Sequence, residues 1–84
     1  MKTIYKYELA LTDEQTISLP ADAEILDIQQ QGQDLCAWVK LDTDMPERDR
    51  KITICGTGNP ISDLTLAHIA TVQIGAMVWH FFES

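Results

Sequence analysis

Apolar and polar residues alternate along most of this chain, and a period of two is the pattern of strands that bury one face. Clusters of turn-forming residues interrupt the alternation at close spacing. The pattern predicts seven short strands, at residues 3–11, 16–19, 23–31, 35–41, 50–55, 69–74 and 77–82. Such a series predicts an all-β fold, a compact small sandwich or barrel of about six to seven short antiparallel strands.

The connections between these strands differ in character. Residues 31–34 have the composition of a hairpin turn, and Gly75-Ala76 is expected to join the last two strands as another hairpin. Residues 42–49 are rich in acidic side chains and predict a charged loop. Residues 64–68 could form one helical turn, with no second turn to support it.

Aromatic residues stand where partners could bind. The strand at residues 35–41 is expected to turn Trp38 away from the core, where it is either exposed to a partner or covered by a further layer. The last strand is apolar on both faces, a pattern of strands that are covered on both sides or contact another chain. We expect a subunit interface that includes these side chains: Trp38, Trp79, Phe81 and Phe82.

The chain has 84 residues, which predicts one β domain over residues 1–84 with a modest core. Cys36 and Cys55 lack the paired spacing of a zinc or thioredoxin motif, so oligomerisation is the expected additional source of stability. No signal peptide is recognised, and the apolar stretches are too short to cross a bilayer. These features predict a cytoplasmic homo-oligomer that does not bind membranes.

The chain is acidic, with 13 acidic against 6 basic residues and a formal net charge of −7. General DNA or RNA binding depends on Lys and Arg side chains that neutralise phosphates, so this balance argues against it. An acidic surface could instead dock on a basic protein, or could only keep the chain solvated.

A glycine-rich loop, Gly56-Thr57-Gly58-Asn59, follows the fifth predicted strand. Two glycines can turn successive backbone amides inward to hold an anion, and Thr57 and Asn59 could add side-chain donors. The alternative is a tight exit from the strand, with Pro60 directing the chain. Basic residues that could assist a phosphorylated ligand lie at the other end of the strand and would reach the loop only from another chain or strand: Arg48, Arg50 and Lys51.

The two histidines are the side chains expected to titrate near neutral pH. His68 follows the loop region and is the better candidate for a ligand site, whereas His80 is expected to be a hydrogen-bonded member of a packed strand. Neither cysteine has an adjacent basic group, and no serine stands in a strand-to-helix elbow, so no catalytic residue is predicted. We expect no metal site and no cofactor, because both histidines and both cysteines would have to converge from separate strands.

Segments over nearly the whole chain carry a resemblance: Lys6-Tyr7-Glu8-Leu9, Asp13-Glu14-Gln15-Thr16-Ile17, Leu19-Pro20, Ala23-Glu24-Ile25-Leu26, Trp38, Cys55-Gly56-Thr57-Gly58-Asn59-Pro60-Ile61 and Val78-Trp79-His80-Phe81-Phe82-Glu83. They look like a family of small proteins encoded by tailed bacteriophages and prophages. Members commonly have Tyr-Gly-Thr-Gly-His-Pro at the loop, whereas Cys55 and Asn59 replace the tyrosine and the histidine here. The resemblance implies a phage accessory protein in the cytoplasm of the bacterial host, and it carries over no catalytic residues.

Three functional hypotheses remain open, of which the sequence favours the first. The first is a non-enzymatic binding protein that blunts a host defence system, either by sequestering a small phosphorylated ligand between subunits or by occupying a basic host protein. The second is a structural or assembly protein of the phage particle. The third is an enzyme that acts on a nucleotide, which requires His68 and an acid within hydrogen-bonding reach of one pocket.

Overall fold

The structure, a computed structural model, describes residues 1–61 and 66–84, and these residues form seven strands. The strands are β1 (Lys2–Leu9), β2 (Glu14–Pro20), β3 (Glu24–Gln31), β4 (Asp34–Asp42), β5 (Glu47–Gly56), β6 (Ala67–Ile74) and β7 (Met77–Glu83). All pairings are antiparallel, and they build two sheets, β1-β4-β3 and β2-β5-β7-β6. This arrangement confirms the predicted all-β fold, and of the two predicted architectures, sandwich and barrel, it is the sandwich.

The inner faces of the two sheets share one hydrophobic core. Both sheets supply side chains with no exposed surface. Val39 comes from the three-stranded sheet, and the four-stranded sheet supplies Leu19, Ile52 and Phe81. The predicted inward face of β4 is confirmed, since all four of its expected members are buried: Leu35, Ala37, Val39 and Leu41. The described part of the chain contains no helix that is both long and apolar enough to cross a membrane.

Two of the predictions for residues 42–68 differ from the structure. β5 begins at Glu47 and not at Arg50, because Arg48 and Asp49 pair with Leu19 and Ser18 of β2. The available partner strand outweighs the low strand preference of charged residues. The helical turn predicted at residues 64–68 falls partly outside the described residues, and its last two positions, 67 and 68, belong to β6.

Phe81 corrects one of the predicted interface positions. It lies opposite Ile54 on β5 and Ala70 on β6, and its side chain is fully buried. A side chain with no exposed surface belongs to the core and is not available to a second subunit. The last strand is apolar on both faces because Phe81 packs inward while Phe82 lies half-buried on the outer surface.

β-Bulges change which face a residue occupies in two strands. In β3 the register with β4 shifts between Ile25 and Asp27, so that Leu26 is 44% exposed although Ile28 is buried. In β6 the register with β7 shifts between His68 and Ala70. An extra residue on one strand reverses the alternation beyond it, which a strict period of two does not anticipate.

The sandwich is closed along one side only. β3 packs beside β6, whereas the outer edge of β1 contacts no other strand among the described residues. On this side Tyr5 is 45% exposed and Tyr7 is half-buried. Burial, and to a lesser extent the nearby Glu47 carboxylate, raises the pKa of the Tyr7 phenol above its usual value of 10.0.

One ion pair ties both layers together near the end of β7. The Arg50 guanidinium binds the Glu83 carboxylate through Nε and Nη2, with an Nη2–Oε1 distance of 2.9 Å. Its remaining nitrogen, Nη1, donates to the carbonyl of Ala23 at 2.8 Å, just before β3 in the other sheet. Both charged side chains are largely buried, at 23% and 21% exposure, and the hydrogen bond to Glu83 raises the pKa of Arg50.

Replacing Arg50 by glutamine should therefore lower the free energy of unfolding by about 2–4 kcal/mol, because Glu83 keeps a partly buried charge without its partner. Urea denaturation followed by far-UV circular dichroism measures the change. Lys51→Gln is the matched control on the same strand: its ion pair with Glu14 is 3.2 Å long but exposed, so at most about 1 kcal/mol should be lost. Equal losses in the two variants would contradict the bridging role of Arg50.

Candidate functional site

Residues 56–59 form a tight turn at the end of β5. The amide of Asn59 donates to the carbonyl of Gly56 at 3.0 Å, and Gly58 has a φ of +88°. A positive φ at the third position, with an ordinary φ at Thr57, is the geometry of a type II turn. The Thr57 amide donates to Val78 of β7 at 3.2 Å. Two of the amides expected to hold an anion are thus bonded to backbone carbonyls, which is the geometry of the alternative, a tight strand exit.

Gly56 allows Trp79 to lie against the backbone of β5. The two residues are register partners, and a Cβ atom at Gly56 would lie 3.1 Å from the Trp79 ring and 2.9 Å from Asn59 Nδ2. Trp79 is half-buried and packs against the core. The indole therefore packs against the core and against the backbone of Gly56, which does not favour the interface role predicted for Trp79.

The predicted basic residues do not gather at the turn within one chain. Arg50 is held by Glu83 and Ala23, and Lys51 pairs with Glu14. Arg48 lies at the start of β5, eight residues before Gly56, which is about 26 Å along an extended strand.

A row of hydrogen bonds crosses the outer face of the β2-β5-β7-β6 sheet. The Thr57 hydroxyl lies 2.8 Å from His80 Nε2, and His80 Nδ1 lies 3.1 Å from the Thr71 hydroxyl. The same hydroxyl lies 2.9 Å from His68 Nε2, and the His68 ring meets Phe82 edge-on at 5.5 Å. Because the single Thr71 proton serves at most one of its two imidazole partners, at least one imidazole must donate to Thr71.

His80 is hydrogen-bonded, as expected, and its partners are Thr57 in the turn after β5 and Thr71 on β6. Thr71 itself has no signal in the sequence that marks it as a site residue. The bulge in β6 places His68 and Thr71 on the same face, although residues three apart in a regular strand point in opposite directions. Only a register across β7 could have revealed the row.

We name the surrounding surface the histidine face. It comprises the outward-facing residues of β6, β7 and the second half of β5: Thr53, Cys55, His68, Thr71, Gln73, Val78, His80 and Phe82. None of these side chains is acidic or basic apart from the two imidazoles. Phe82, one of the predicted interface residues, lies here, whereas Trp38 lies half-buried on the outer face of the other sheet between Lys6 and Asp27.

Two cavities of the described chain lie away from this surface. An open groove of about 380 Å³ is lined by Lys2, Lys40, Leu41 and Met45 at the other sheet, and a smaller cavity of about 130 Å³ lies beside Trp79. Among residues 1–61 and 66–84, no group of three or more His, Cys, Asp or Glu side chains is arranged to hold a metal ion. Neither of the two cavities is lined by a residue of the histidine face.

The chain belongs to the family described as Domain of unknown function (DUF7352), whose model matches residues 1–84. No curated protein and no solved structure matches it.

Gly58→Ala should destabilise the protein by about 1–2 kcal/mol, because a Cβ atom is disfavoured at a φ of +88° although nothing lies within 4 Å of it. Gly58→Asn is the matched variant and should lose less, since asparagine tolerates the left-handed region. Urea denaturation of both variants measures the difference. If alanine costs no more than asparagine, backbone conformation is not what requires glycine here.

Thr71→Val should release both imidazoles from their shared hydroxyl while keeping the branched shape of the side chain. We expect long-range ¹H–¹⁵N NMR spectra to show changed chemical shifts for the ring nitrogens of His68 and His80. The free energy of unfolding should fall by under about 1 kcal/mol, because the site is exposed. Thr16→Val, an exposed change on the outer face of β2 in the same sheet, should leave both imidazoles unchanged. Unaltered imidazole signals in Thr71→Val would contradict the hydrogen-bonded row.

Proposed function

We propose that this protein is a non-enzymatic binding protein that acts by covering a surface of another protein with its histidine face. One observation carries the proposal: an acidic chain leaves the outer face of three adjacent strand segments free of acidic and basic side chains other than the two histidines. Solvent alone does not require such a surface. The centres of protein–protein interfaces are depleted of charged residues and enriched in aromatic ones.

The side chains of this face are held in place before a partner arrives. His80 is bonded on both ring nitrogens and His68 on Nε2, and Phe82 packs against His68. Side chains that are already ordered lose less conformational entropy when they bind. Hydroxyl and imidazole groups can also form hydrogen bonds across an interface, while Val78 and Phe82 contribute apolar contact.

The charge of the rest of the chain indicates what kind of partner fits. Net charge is −7, and Glu47 and Asp49 of β5 lie on the same sheet surface as the histidine face, beside the Glu14–Lys51 ion pair. An uncharged centre within an acidic surface favours a partner with an uncharged patch surrounded by Lys and Arg. Charge attraction would then speed the encounter, and the central contacts would supply most of the affinity.

A small phosphorylated ligand receives less support from the same geometry. Two turn amides are bonded to carbonyls, and the cations Arg50 and Lys51 are paired with acidic side chains. A phosphate would have to displace these contacts or rely on another subunit for its positive charge. The resemblance to phage-encoded proteins supports a host protein in the bacterial cytoplasm as the partner, and occupation of that protein as the means of blunting a host defence.

The test uses the immobilised full chain and bacterial lysate, with captured proteins quantified by mass spectrometry and the identified partner then measured in purified form. Thr71→Glu places a carboxylate in the histidine face and should weaken binding at least tenfold. Thr16→Glu makes the same exchange at an exposed outward position of β2 and should change affinity by less than about threefold. Both variants carry the same net charge, so general repulsion cannot separate them.

Three results would contradict the proposal. Equal binding by wild type and Thr71→Glu would move the interface elsewhere. A mass excess of a few hundred daltons in native mass spectrometry, lost in Thr71→Glu, would indicate a small ligand. Capture of phage structural proteins alone would favour the assembly hypothesis.

A further inference from the structure

Among the described residues, no strand pairs with the outer edge of β1, and the charged side chains on this strand are Lys2, Lys6 and Glu8. The strand has eight residues in uninterrupted register with β4 and contains no proline or bulge. The other edge strands differ: β3 and β6 carry bulges and pack beside each other, and β2 ends in Pro20. A long, regular and unpaired edge is a template for a further strand.

The backbone of β1 has hydrogen-bonding groups available on this edge. The amide of Thr43 donates to the carbonyl of Met1 at 2.9 Å, so Met1 is directed at β4. Direction alternates along an antiparallel strand, which turns the amides and carbonyls of four residues outward: Lys2, Ile4, Lys6 and Glu8. The side chains add apolar surface here, with Ile4 54% and Tyr5 45% exposed.

A second copy of the chain can use this edge in few ways. The outward-directed backbone groups of one copy must bond to those of the other, and paired side chains must lie on the same face of the joined sheet. Both conditions hold only when the two-fold axis lies between the two copies of one residue, so that this residue is paired with itself. With the axis at Ile4, Lys2 faces Lys6 of the second copy, and with the axis at Lys6, that lysine faces its own copy. Both registers place like charges directly opposite, which is destabilising. An axis at Tyr7 brings together only residues 5–9 of each strand, and therefore forms fewer backbone hydrogen bonds.

The axis at Tyr5 combines a long overlap with complementary charges. It places Lys2 opposite Glu8 of the second copy and, by symmetry, Glu8 opposite Lys2. Ile4 then lies beside the aliphatic part of Lys6, and the two Tyr5 side chains meet on the inner face. We propose that the protein dimerises through antiparallel pairing of its β1 strands about a two-fold axis at Tyr5.

The dimer extends the three-stranded sheet to six strands. The two-fold axis is perpendicular to the sheet, so both four-stranded sheets lie on the same side and both histidine faces point in one direction. Dimerisation thus yields a bivalent surface from two copies of one small domain. The dimer does not depend on the binding function of the histidine face, and the tests below do not measure binding by that face.

Charge exchange across the axis tests the register, with dimer dissociation constants measured by sedimentation equilibrium at 0.15 M salt. Glu8→Lys should weaken the dimer about tenfold although it makes the chain less acidic, because the introduced ammonium group would face Lys2 of the second copy. Lys2→Glu should weaken it similarly, and the double variant Lys2→Glu, Glu8→Lys should recover wild-type affinity within about threefold. Lys6→Glu changes net charge as much as Lys2→Glu but creates no facing pair of like charges, so it should have the smaller effect.

A cysteine at the axis gives a second measurement that remains valid if Lys2→Glu fails to fold. Tyr5 would form a non-hydrogen-bonded pair with its own copy, with Cα atoms about 4.5 Å apart, which is within disulfide range. In a Cys55→Ser background, Tyr5→Cys should form a linked dimer on mild oxidation. Thr3→Cys, whose two copies would be offset by four residues along the strands, or about 13 Å, should not.

A chain that stays monomeric at millimolar concentration would overturn the proposal. So would a dimer in which Glu8→Lys binds more tightly than wild type, or in which Thr3→Cys crosslinks as readily as Tyr5→Cys. These last two results would assign the association to another surface or to another register.

Discussion

Everything in this domain depends on one constraint: each strand of a two-layer sandwich has one face for the core and one for the outside. Among the described residues, all seven strands belong to these two sheets, and none of them covers an outer face. Large apolar side chains such as Leu19, Ile52 and Phe81 therefore fill the inner faces completely. Whatever the protein recognises must be built from the outward-facing residues, the edges or the turns.

The bulge in β6 changes which side chains lie on the outer face of the four-stranded sheet. By inserting one residue before Ala70, it brings His68 to the surface that already carries Thr71 and, across the strand pair, His80. The shared hydroxyl then links two imidazoles that come from different strands. A regular strand would have turned His68 to the face opposite Thr71, and the row would end at Thr71 with His80 as its one imidazole.

The glycine-rich turn supports this surface. Gly56 lets Trp79 close against β5, and Gly58 allows the chain to reverse at once. The reversal presents the Thr57 hydroxyl to His80. In the proposed dimer, the two turns and the two histidine faces would lie on one side of a continuous six-stranded sheet. Pairing at the edge of the three-stranded sheet would thus set the arrangement of the outer faces of the two four-stranded sheets.

The sequence by itself determined the fold class, the number of strands, the hairpins at Gly32 and Gly75, and the inward face of β4, because period-two burial and turn chemistry are local properties. It also singled out Thr57 and His68, as ligand-binding candidates and not as members of the hydrogen-bonded row. Tertiary structure alone decided that Phe81 is core, that Arg50 is held by Glu83, and that Thr71 joins the two histidines. Those outcomes depend on strand order, register and bulges, which arise from contacts between residues distant in the chain and leave no local pattern to read.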